Sequence, residues 1–144
     1  MDEENEKHIF KVSPCGGKRC KICKHIIAAN QFRFNCGFTY VVRNENLSCR
    51  SKDVVYVIKC NSCQAEYIGE TGNFRQRING HNSHIRGNNF NTCRTAEHFN
   101  ACGTHVSNVA DRYKVFILEI VKNKSIRKAR EAFYIDLFQP KINS

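Results

Sequence analysis

The sequence predicts an α/β domain of the α+β type, in which a small antiparallel sheet of about three strands is flanked by helices. The strongest strand signal is the β-branched and aromatic run at residues 54–58. Two later segments, residues 74–87 and 125–137, carry apolar residues at helical spacing. A cysteine-rich segment precedes these elements, and we expect a zinc ion to stabilise it.

The composition divides the chain into three parts. Residues 1–13 are polar and acidic and are predicted to form a disordered tail. Residues 14–52 contain five cysteines but few apolar stretches, so this segment needs a metal ion or docking on the rest of the chain. Within it, residues 31–34 and 38–42 have short alternating or β-branched patterns that predict a hairpin. Residues 53–144 form the principal domain.

The principal domain begins with a hairpin and a helix. Its first strand, residues 54–58, is apolar enough to be buried on both faces. Residues 60–63 follow as a turn, and residues 65–69 are the returning strand. A helix is predicted over residues 74–87, with Asn73 as its N-cap. The apolar side of this helix is formed by Phe74, Ile78 and Ile85.

The second half of the domain supplies one more strand and one more helix. Residues 87–112 are a polar, asparagine-rich connection, whose length indicates a functional or metal-anchoring role. Residues 113–121 predict the third strand. We expect Ser125 to cap the final helix and Pro140 to stop it. The residues whose helical spacing marks the apolar side of this helix are Ile126, Ala129, Phe133 and Leu137.

The charge distribution favours a polyanion as partner. The chain has 144 residues and carries 23 basic and 13 acidic side chains, a formal charge of +10. Four of the acidic residues lie within the first six positions, so the remaining chain is more positive still. The longest apolar run, residues 54–58, is far shorter than the roughly 20 residues that a membrane-spanning helix needs. The acidic beginning of the chain predicts no secretory signal.

Nine cysteines and six histidines favour metal binding over disulfides. The cysteine count is odd and no secretory signal is expected, which argues against a disulfide framework. Two pairs, Cys20/Cys23 and Cys60/Cys63, have Cys-x-x-Cys spacing, and both thiolates of such a pair can reach one tetrahedral zinc ion. The alternative interpretations are buried free cysteines and a redox pair.

Several reactive side chains come into register on the predicted elements. Tyr56 lies in the first strand of the principal domain, and Tyr67 lies in the antiparallel neighbour. Arg77 and His81 have i, i+4 spacing, so they share one face of the first long helix. The final helix adds a carboxylate. The complete set of candidate catalytic residues is Tyr56, Tyr67, Arg77, His81, Glu131 and Asn143.

This set has the chemistry that metal-assisted hydrolysis of a phosphodiester requires. A carboxylate holds a hard cation, an arginine offsets charge developing on the phosphate, and a phenol or imidazole moves the proton from water. Each residue also has an ordinary interpretation, because strand tyrosines pack across strands and surface carboxylates join ion pairs. It is the joint order of the set, rather than any single member, that indicates a site.

The order of these residues resembles a known nuclease family. Tyr56, followed after ten residues by Tyr67-Ile68-Gly69, is similar to the GIY-YIG motif, although the first element here reads Val54-Val55-Tyr56. Residues 69–81 resemble the catalytic helix of that family, and residues 130–143 resemble its metal-binding helix and closing asparagine.

A narrower resemblance is to the endonuclease domain of Penelope-like retroelements. It depends on the Cys-x-x-Cys pair between the two strand motifs and on residues 96–105. Residues 14–49 also resemble the linker that precedes that domain.

The family resemblance implies a role for each matching residue. Arg77 matches the catalytic arginine, and Glu131 matches the magnesium ligand. Tyr56 matches a tyrosine proposed as general base, and Tyr67 matches the second-motif tyrosine that lines the site. Because a free phenol has a pKa near 10, Tyr56 can act as a base only if its surroundings lower that value. The helix histidine and the terminal asparagine are matched by His81 and Asn143.

Two structural zinc sites are expected. The narrower resemblance implies a zinc ion held by Cys60, Cys63, His98 and His105, with Cys93 and Cys102 as competing ligands. A second zinc ion is expected at Cys15, Cys20, Cys23 and Cys49, where His25 or Cys36 is an alternative to Cys49. Four protein ligands leave no open position for water, so neither ion is expected to be catalytic.

These expectations point to a DNA endonuclease that depends on Mg or Mn and nicks its target, as for retroelement integration by target-primed reverse transcription. The resemblance implies a reverse transcriptase domain as partner and a nuclear location. One alternative is a catalytically inactive zinc module that binds nucleic acid or protein, and another is a repair-type or restriction-type nuclease. The oligomeric state is left open. The basic residues expected to contact DNA phosphates are Lys18, Arg19, Lys21, Lys24, Arg75 and Arg86.

Overall fold

The computed structural model describes residues 9–43, 45–87, 94–102 and 109–144. Most of the predicted acidic tail, together with the candidate zinc ligands Cys93 and His105, lies outside the described residues. The strands are β1 (Val12–Ser13), β2 (Gln31–Arg33), β3 (Thr39–Val41), β4 (Leu47–Ser48), β5 (Lys52–Cys60), β6 (Glu66–Asn73) and β7 (Tyr113–Ile120). The α-helices are α1 (Phe74–Arg86), α2 (Arg94–Ala101) and α3 (Lys124–Phe138).

The centre of the fold is a three-stranded antiparallel sheet in the order β6-β5-β7. The predicted α+β class and the size of its sheet are therefore confirmed. Residues 54–58 of the middle strand are completely buried, because other elements cover the sheet on both faces. Strand β6 forms one edge of the sheet, and the helices α1 and α3 both pack against it.

Helix α1 covers one face of the sheet. Its Asn73 N-cap is confirmed, since the Asn73 side chain accepts a hydrogen bond from the backbone N–H of Gln76. Phe74 and Ile78 are fully buried, and the Phe74 ring lies edge-on to the Tyr56 ring with 5.8 Å between centroids. The apolar side of α1 is thus the one that the sequence predicts.

The β2–β3 hairpin and helix α3 cover the opposite face. The hairpin itself is as predicted, with Phe32 paired with Tyr40. Phe32 stacks on Phe116 of β7 at 5.5 Å, and Phe34 stacks on Phe138 of α3 at 3.8 Å. Because neighbouring residues of a strand point to opposite faces, these aromatic side chains lie on the far side of the sheet from Tyr56.

Helix α3 differs from the prediction in its cap and in its buried side. Asn123, rather than Ser125, accepts the capping hydrogen bond, from the N–H of Ile126. The predicted apolar side is wrong: Ile126, Phe133 and Leu137 are about half exposed, and the helix buries Arg127, Tyr134 and Phe138. A charged residue can occupy the inner side because Arg127 is paired with Glu70 and Asp53 of the sheet.

The N-terminal segment packs on the sheet. The end of the predicted tail takes part in this packing, because Val12 is buried and β1 pairs in parallel with β4. Further along, the N–H of Ile27 donates to the carbonyl of Val115 in β7 at 2.9 Å. The segment thus docks on the edge of the sheet opposite β6.

The connection predicted over residues 87–112 contains helix α2, which the sequence did not indicate. This short helix packs against α1. Among the described residues, no helix combines the length and apolar character that crossing a membrane requires.

Candidate active site

A cleft of about 700 Å³ lies beside helix α1 and the end of β6. Three of the predicted catalytic residues line it, namely Tyr67, Arg77 and His81. His84 and Arg94 also line the cleft, although the sequence did not mark either as functional. The walls therefore carry cationic and imidazole groups, which suits an anionic ligand.

Tyr56 lies beneath the floor of this cleft. Its side chain is completely buried, and its hydroxyl is 2.9 Å from Nε2 of His81. Burial, followed by the charge of Tyr67, raises the pKa of the Tyr56 phenol above its usual value. The phenol thus keeps its proton at neutral pH, and His81 is the group within hydrogen-bond distance of its hydroxyl.

His81 links Tyr56 to a third residue. Its Nδ1 is 2.8 Å from the hydroxyl of Thr95 in α2. Burial lowers the pKa of His81 to about 3, with help from the charges of Arg77 and His84. The ring is therefore neutral near pH 7, and the Thr95 contact helps to decide which nitrogen carries the proton. Thr95 was missed because no motif marks it.

Arg77 lies against both phenols of the site. Burial works to lower the pKa of its guanidinium, but interactions with Tyr56 and Tyr67 outweigh burial and raise that pKa above the usual value. The side chain is thus a permanent positive charge in the cleft wall, beside the groups that can move a proton.

Glu131 reaches the same edge of the sheet from helix α3. Its carboxylate interacts with the backbone N–H of Glu70 in β6. Burial and then the negative charge of Glu70 raise the pKa of Glu131, whereas the nearby charges of Lys128 and Arg77 act in the opposite direction. Glu131 does not line the cleft itself, but it lies within electrostatic reach of Arg77 and Tyr56.

Asn143 forms two hydrogen bonds with strand β6, which carries Tyr67. Its Oδ1 accepts a hydrogen bond from the N–H of Ile68 at 2.7 Å, and its Nδ2 donates to the carbonyl of Ile68 at 3.0 Å. The side chain thus pairs with the free edge of β6 as another strand would. Asn143 does not line the cleft, and this geometry gives it a positioning role.

The four cysteines predicted for the N-terminal zinc site lie together, their sulfur atoms all within 4.8 Å of one another. The sulfur atoms of Cys15 and Cys23 are 3.6 Å apart, and those of Cys23 and Cys49 are 3.7 Å apart. A tetrahedral zinc ion with bonds of about 2.3 Å requires sulfur–sulfur distances of about 3.8 Å. The cluster Cys15, Cys20, Cys23 and Cys49 can therefore hold zinc.

Neither alternative to Cys49 joins this cluster. His25 is buried elsewhere, with Nδ1 3.1 Å from the carbonyl oxygen of Tyr113 and Nε2 3.1 Å from Nδ2 of Asn82. Cys36 is exposed on the β2–β3 turn. Among the described residues, no cysteine forms a disulfide.

A second cluster joins the β5–β6 turn to α2. Its members are Cys60, Cys63, His98 and Cys102. The sulfur atoms of Cys60 and Cys102 are 3.7 Å apart, and Cys63 lies 3.4 Å from Nε2 of His98. Cys102, ranked below His105 by sequence, is the fourth member among the described residues. Its i, i+4 spacing from His98 was the signal that could have found it.

Only some of the basic residues predicted to contact DNA lie together in the structure. Arg19, Lys21, Arg75 and Arg86 line a second cleft, whereas Lys18 and Lys24 do not. Within this second cleft, Arg75 donates to Cys15 and Cys20 of the N-terminal cluster.

Two strand phenols lie beside a guanidinium, and a carboxylate lies at the same strand edge of this small α+β domain. Such groups are those that hydrolysis of a phosphodiester can use. Residues 52–143 match the family model of the GIY-YIG catalytic domain, and the chain therefore belongs to the GIY-YIG family. Membership implies nuclease activity, with DNA as substrate, and nucleases of this family usually use a divalent metal. No curated protein and no solved structure matches the chain.

Proposed function

We propose that this protein is a metal-dependent DNA endonuclease that nicks one strand by hydrolysing a phosphodiester bond. The observation that carries the proposal is that Arg77 and Glu131 lie within electrostatic range of each other at one edge of the sheet, although they belong to helices on opposite faces. A phosphate in this cleft would lie against the cationic wall that Arg77 helps to form, and Glu131 lies within electrostatic range of Arg77.

The chemistry of Glu131 fits a hard divalent cation such as Mg or Mn. Mg²⁺ is commonly held by one or two carboxylates together with substrate phosphates. Burial and the charge of Glu70 disfavour the ionised form of Glu131, so a bound cation would relieve both effects. When bound, the ion supplies Lewis-acid activation at the phosphate. Arg77 then offsets the remaining charge that develops there.

Tyr56 is the group proposed to take the proton from water, and His81 positions it. A neutral His81 with its proton on Nδ1 can donate a hydrogen bond to Thr95 while Nε2 accepts a hydrogen bond from the Tyr56 hydroxyl. The neighbouring Arg77 guanidinium favours the phenolate form of Tyr56, which can accept a proton from water once substrate binding has lowered the pKa that burial raises. Because Tyr56 is completely buried, this step requires the substrate to open the floor of the cleft.

A nick, rather than a double-strand cut, is the product expected of one chain. The chain carries one set of these groups, and the second strand of a duplex runs in the opposite direction. Cutting both strands therefore requires reorientation of the enzyme or a second copy.

We also propose a Penelope-like role, in which the nick primes reverse transcription in the nucleus by an associated polymerase domain. The cysteine pair between the strand motifs supports this proposal, since Cys60 and Cys63 join His98 and Cys102 in one cluster. The N-terminal cysteine cluster supports it further, because it lies in the segment that resembles the linker of those elements. In this proposal both clusters hold structural zinc.

A supercoiled plasmid tests the nuclease proposal directly. With added magnesium, the purified protein should convert the supercoiled form to open circles before any linear product accumulates, and without a divalent cation it should not. The Glu131→Gln variant should be inactive, whereas Asp136→Asn, a carboxylate exposed on the same helix, should keep the parental rate. DNA that is bound but left intact by the parent would contradict the proposal and favour a module that only binds.

A further inference from the structure

A second cleft, of about 430 Å³, lies where the N-terminal cysteine cluster meets helix α1. Arg19, Lys21 and Cys20 contribute its N-terminal wall. The wall from α1 consists of Arg75, Asn79 and Arg86. Among the described residues that line this cleft, four are basic and none is acidic. Such a concentration of like charge favours an anion.

The second cleft lies on the opposite side of α1 from the active-site cleft. Arg75, Asn79 and Arg86 are separated by four and seven positions, so they form one stripe of the helix. Arg77 follows Arg75 by two positions, which is about 200° around the helix axis. Helix α1 thus presents a catalytic side and a separate basic side.

Arg75 ties the second cleft to the cysteine cluster. Its Nη2 donates to the sulfur atoms of Cys15 at 3.4 Å and Cys20 at 3.6 Å. These contacts hold the guanidinium against the two sulfur atoms, so Arg75 links the cluster to α1. The charges left for a ligand are those of Arg19, Lys21 and Arg86, and Asn79 adds an amide.

We propose that this cleft binds a backbone phosphate of the same DNA molecule that is cut in the active site. The inference rests on the proposed nuclease function and adds a second anchoring point for the substrate. A helix with its side chains is about 10–12 Å across. The anchored phosphate therefore lies near the bond that is cut, separated from it by about the width of α1. Since a phosphate carries no sequence information, the site sets register and affinity.

The test compares Arg19→Ala and Arg86→Ala with the parent. Affinity for a fluorescent DNA duplex is measured from about 50 to 200 mM salt, with neither added divalent cation nor chelator. Each variant should bind about tenfold more weakly and lower the slope of log affinity against log salt by about 1. Arg86→Lys should recover most of the salt slope, because it keeps the charge.

Two controls separate this inference from misfolding and from failure of the nuclease proposal. Arg43→Ala, on the opposite face of the sheet, should bind like the parent, and all variants should keep the parental zinc content and melting temperature. With magnesium, the weaker binding of Arg19→Ala and Arg86→Ala should appear as a higher DNA concentration at the half-maximal cleavage rate, whereas Arg43→Ala should cleave like the parent. Parental affinity and salt slope in folded Arg19→Ala and Arg86→Ala proteins would overturn the inference, even if the parent cuts DNA. Tighter binding of an RNA duplex than of DNA by the same residues would overturn it as well. If the parent binds but does not cut, the nuclease proposal alone fails.

Discussion

Gly69 lies directly opposite Tyr56 in the β5–β6 ladder, and a Cβ atom at position 69 would stand 2.6 Å from the Tyr56 hydroxyl. The same atom would lie 3.1 Å from the ring of Tyr67. The glycine of the second strand motif is thus required by space, because the Tyr56 phenol crosses over its backbone to reach His81.

Replacing Gly69 with alanine should displace Tyr56 and weaken the fold. Overpacking a core position costs about 1–3 kcal/mol, so we expect a lower melting temperature and loss of nicking. Gly80→Ala is the matched control for stability, since a Cβ atom at position 80 meets nothing within 4 Å and alanine favours a helix by about 0.5–1 kcal/mol. A Gly69→Ala protein with parental stability and activity would show that the close approach is not needed.

Thr95 should act as a positioning residue for His81. In Thr95→Val the shape is kept but the hydroxyl that contacts Nδ1 of His81 is lost, and a hydrogen bond of this kind contributes about 0.5–1.5 kcal/mol. We expect nicking to slow by up to about tenfold at unchanged DNA affinity. Thr95→Ser should restore the rate, because it keeps the hydroxyl. If valine and serine behave alike, the hydroxyl has no part in the reaction.

His81 should remain neutral throughout the physiological range. Burial lowers its pKa to about 3, so the folded protein takes up no proton there at a pH where the unfolded chain, with a pKa near 6.5, does. This group therefore favours the folded state above about pH 6.5, and its contribution falls as the pH drops toward 3. An NMR titration of the His81 ring should show no step between about pH 5 and 8. A step near pH 6.5 would contradict the buried, uncharged state.

Cys102 should be a ligand of the second metal cluster. Native mass spectrometry of the parent should find two zinc ions, and Cys102→Ser should retain one, since a thiolate is lost from the tetrahedral set. Cys36→Ser is the matched control and should retain both, because Cys36 is exposed and belongs to neither cluster. Full zinc content in Cys102→Ser would assign the fourth position to another residue.

Sequence patterns predicted the features of this fold that depend mainly on residues close together in the sequence. The run at residues 54–58 became the buried middle strand, and Asn73 became the cap of α1, because strand burial and capping depend on neighbours in sequence. The order of tyrosines, arginine and glutamate likewise indicated the family. These features can be found without knowing the tertiary structure.

The features that were missed depend on distant partners. The buried side of α3 was predicted wrongly because the pairing of Arg127 with Glu70 joins residues 57 positions apart, and no periodicity reveals it. Thr95 was overlooked because its contact with His81 is spatial and no sequence pattern marks it. The burial of Tyr56 was also missed, because it depends on tertiary packing. The strand pattern alone does not say which of the two tyrosines faces the cleft.

The convergence of Arg77 and Glu131 on one phosphate is tested most directly by single-turnover cleavage of prebound DNA. Arg77→Ala and Glu131→Gln should each slow the nick by at least about 100-fold while DNA stays bound, and the double variant should be little slower than either. The account would be contradicted if each variant were only slightly slower than the parent and the two effects on the rate simply added in the double variant. It would also be contradicted if neither variant were slower. Either result would show that the two side chains do not serve one reaction.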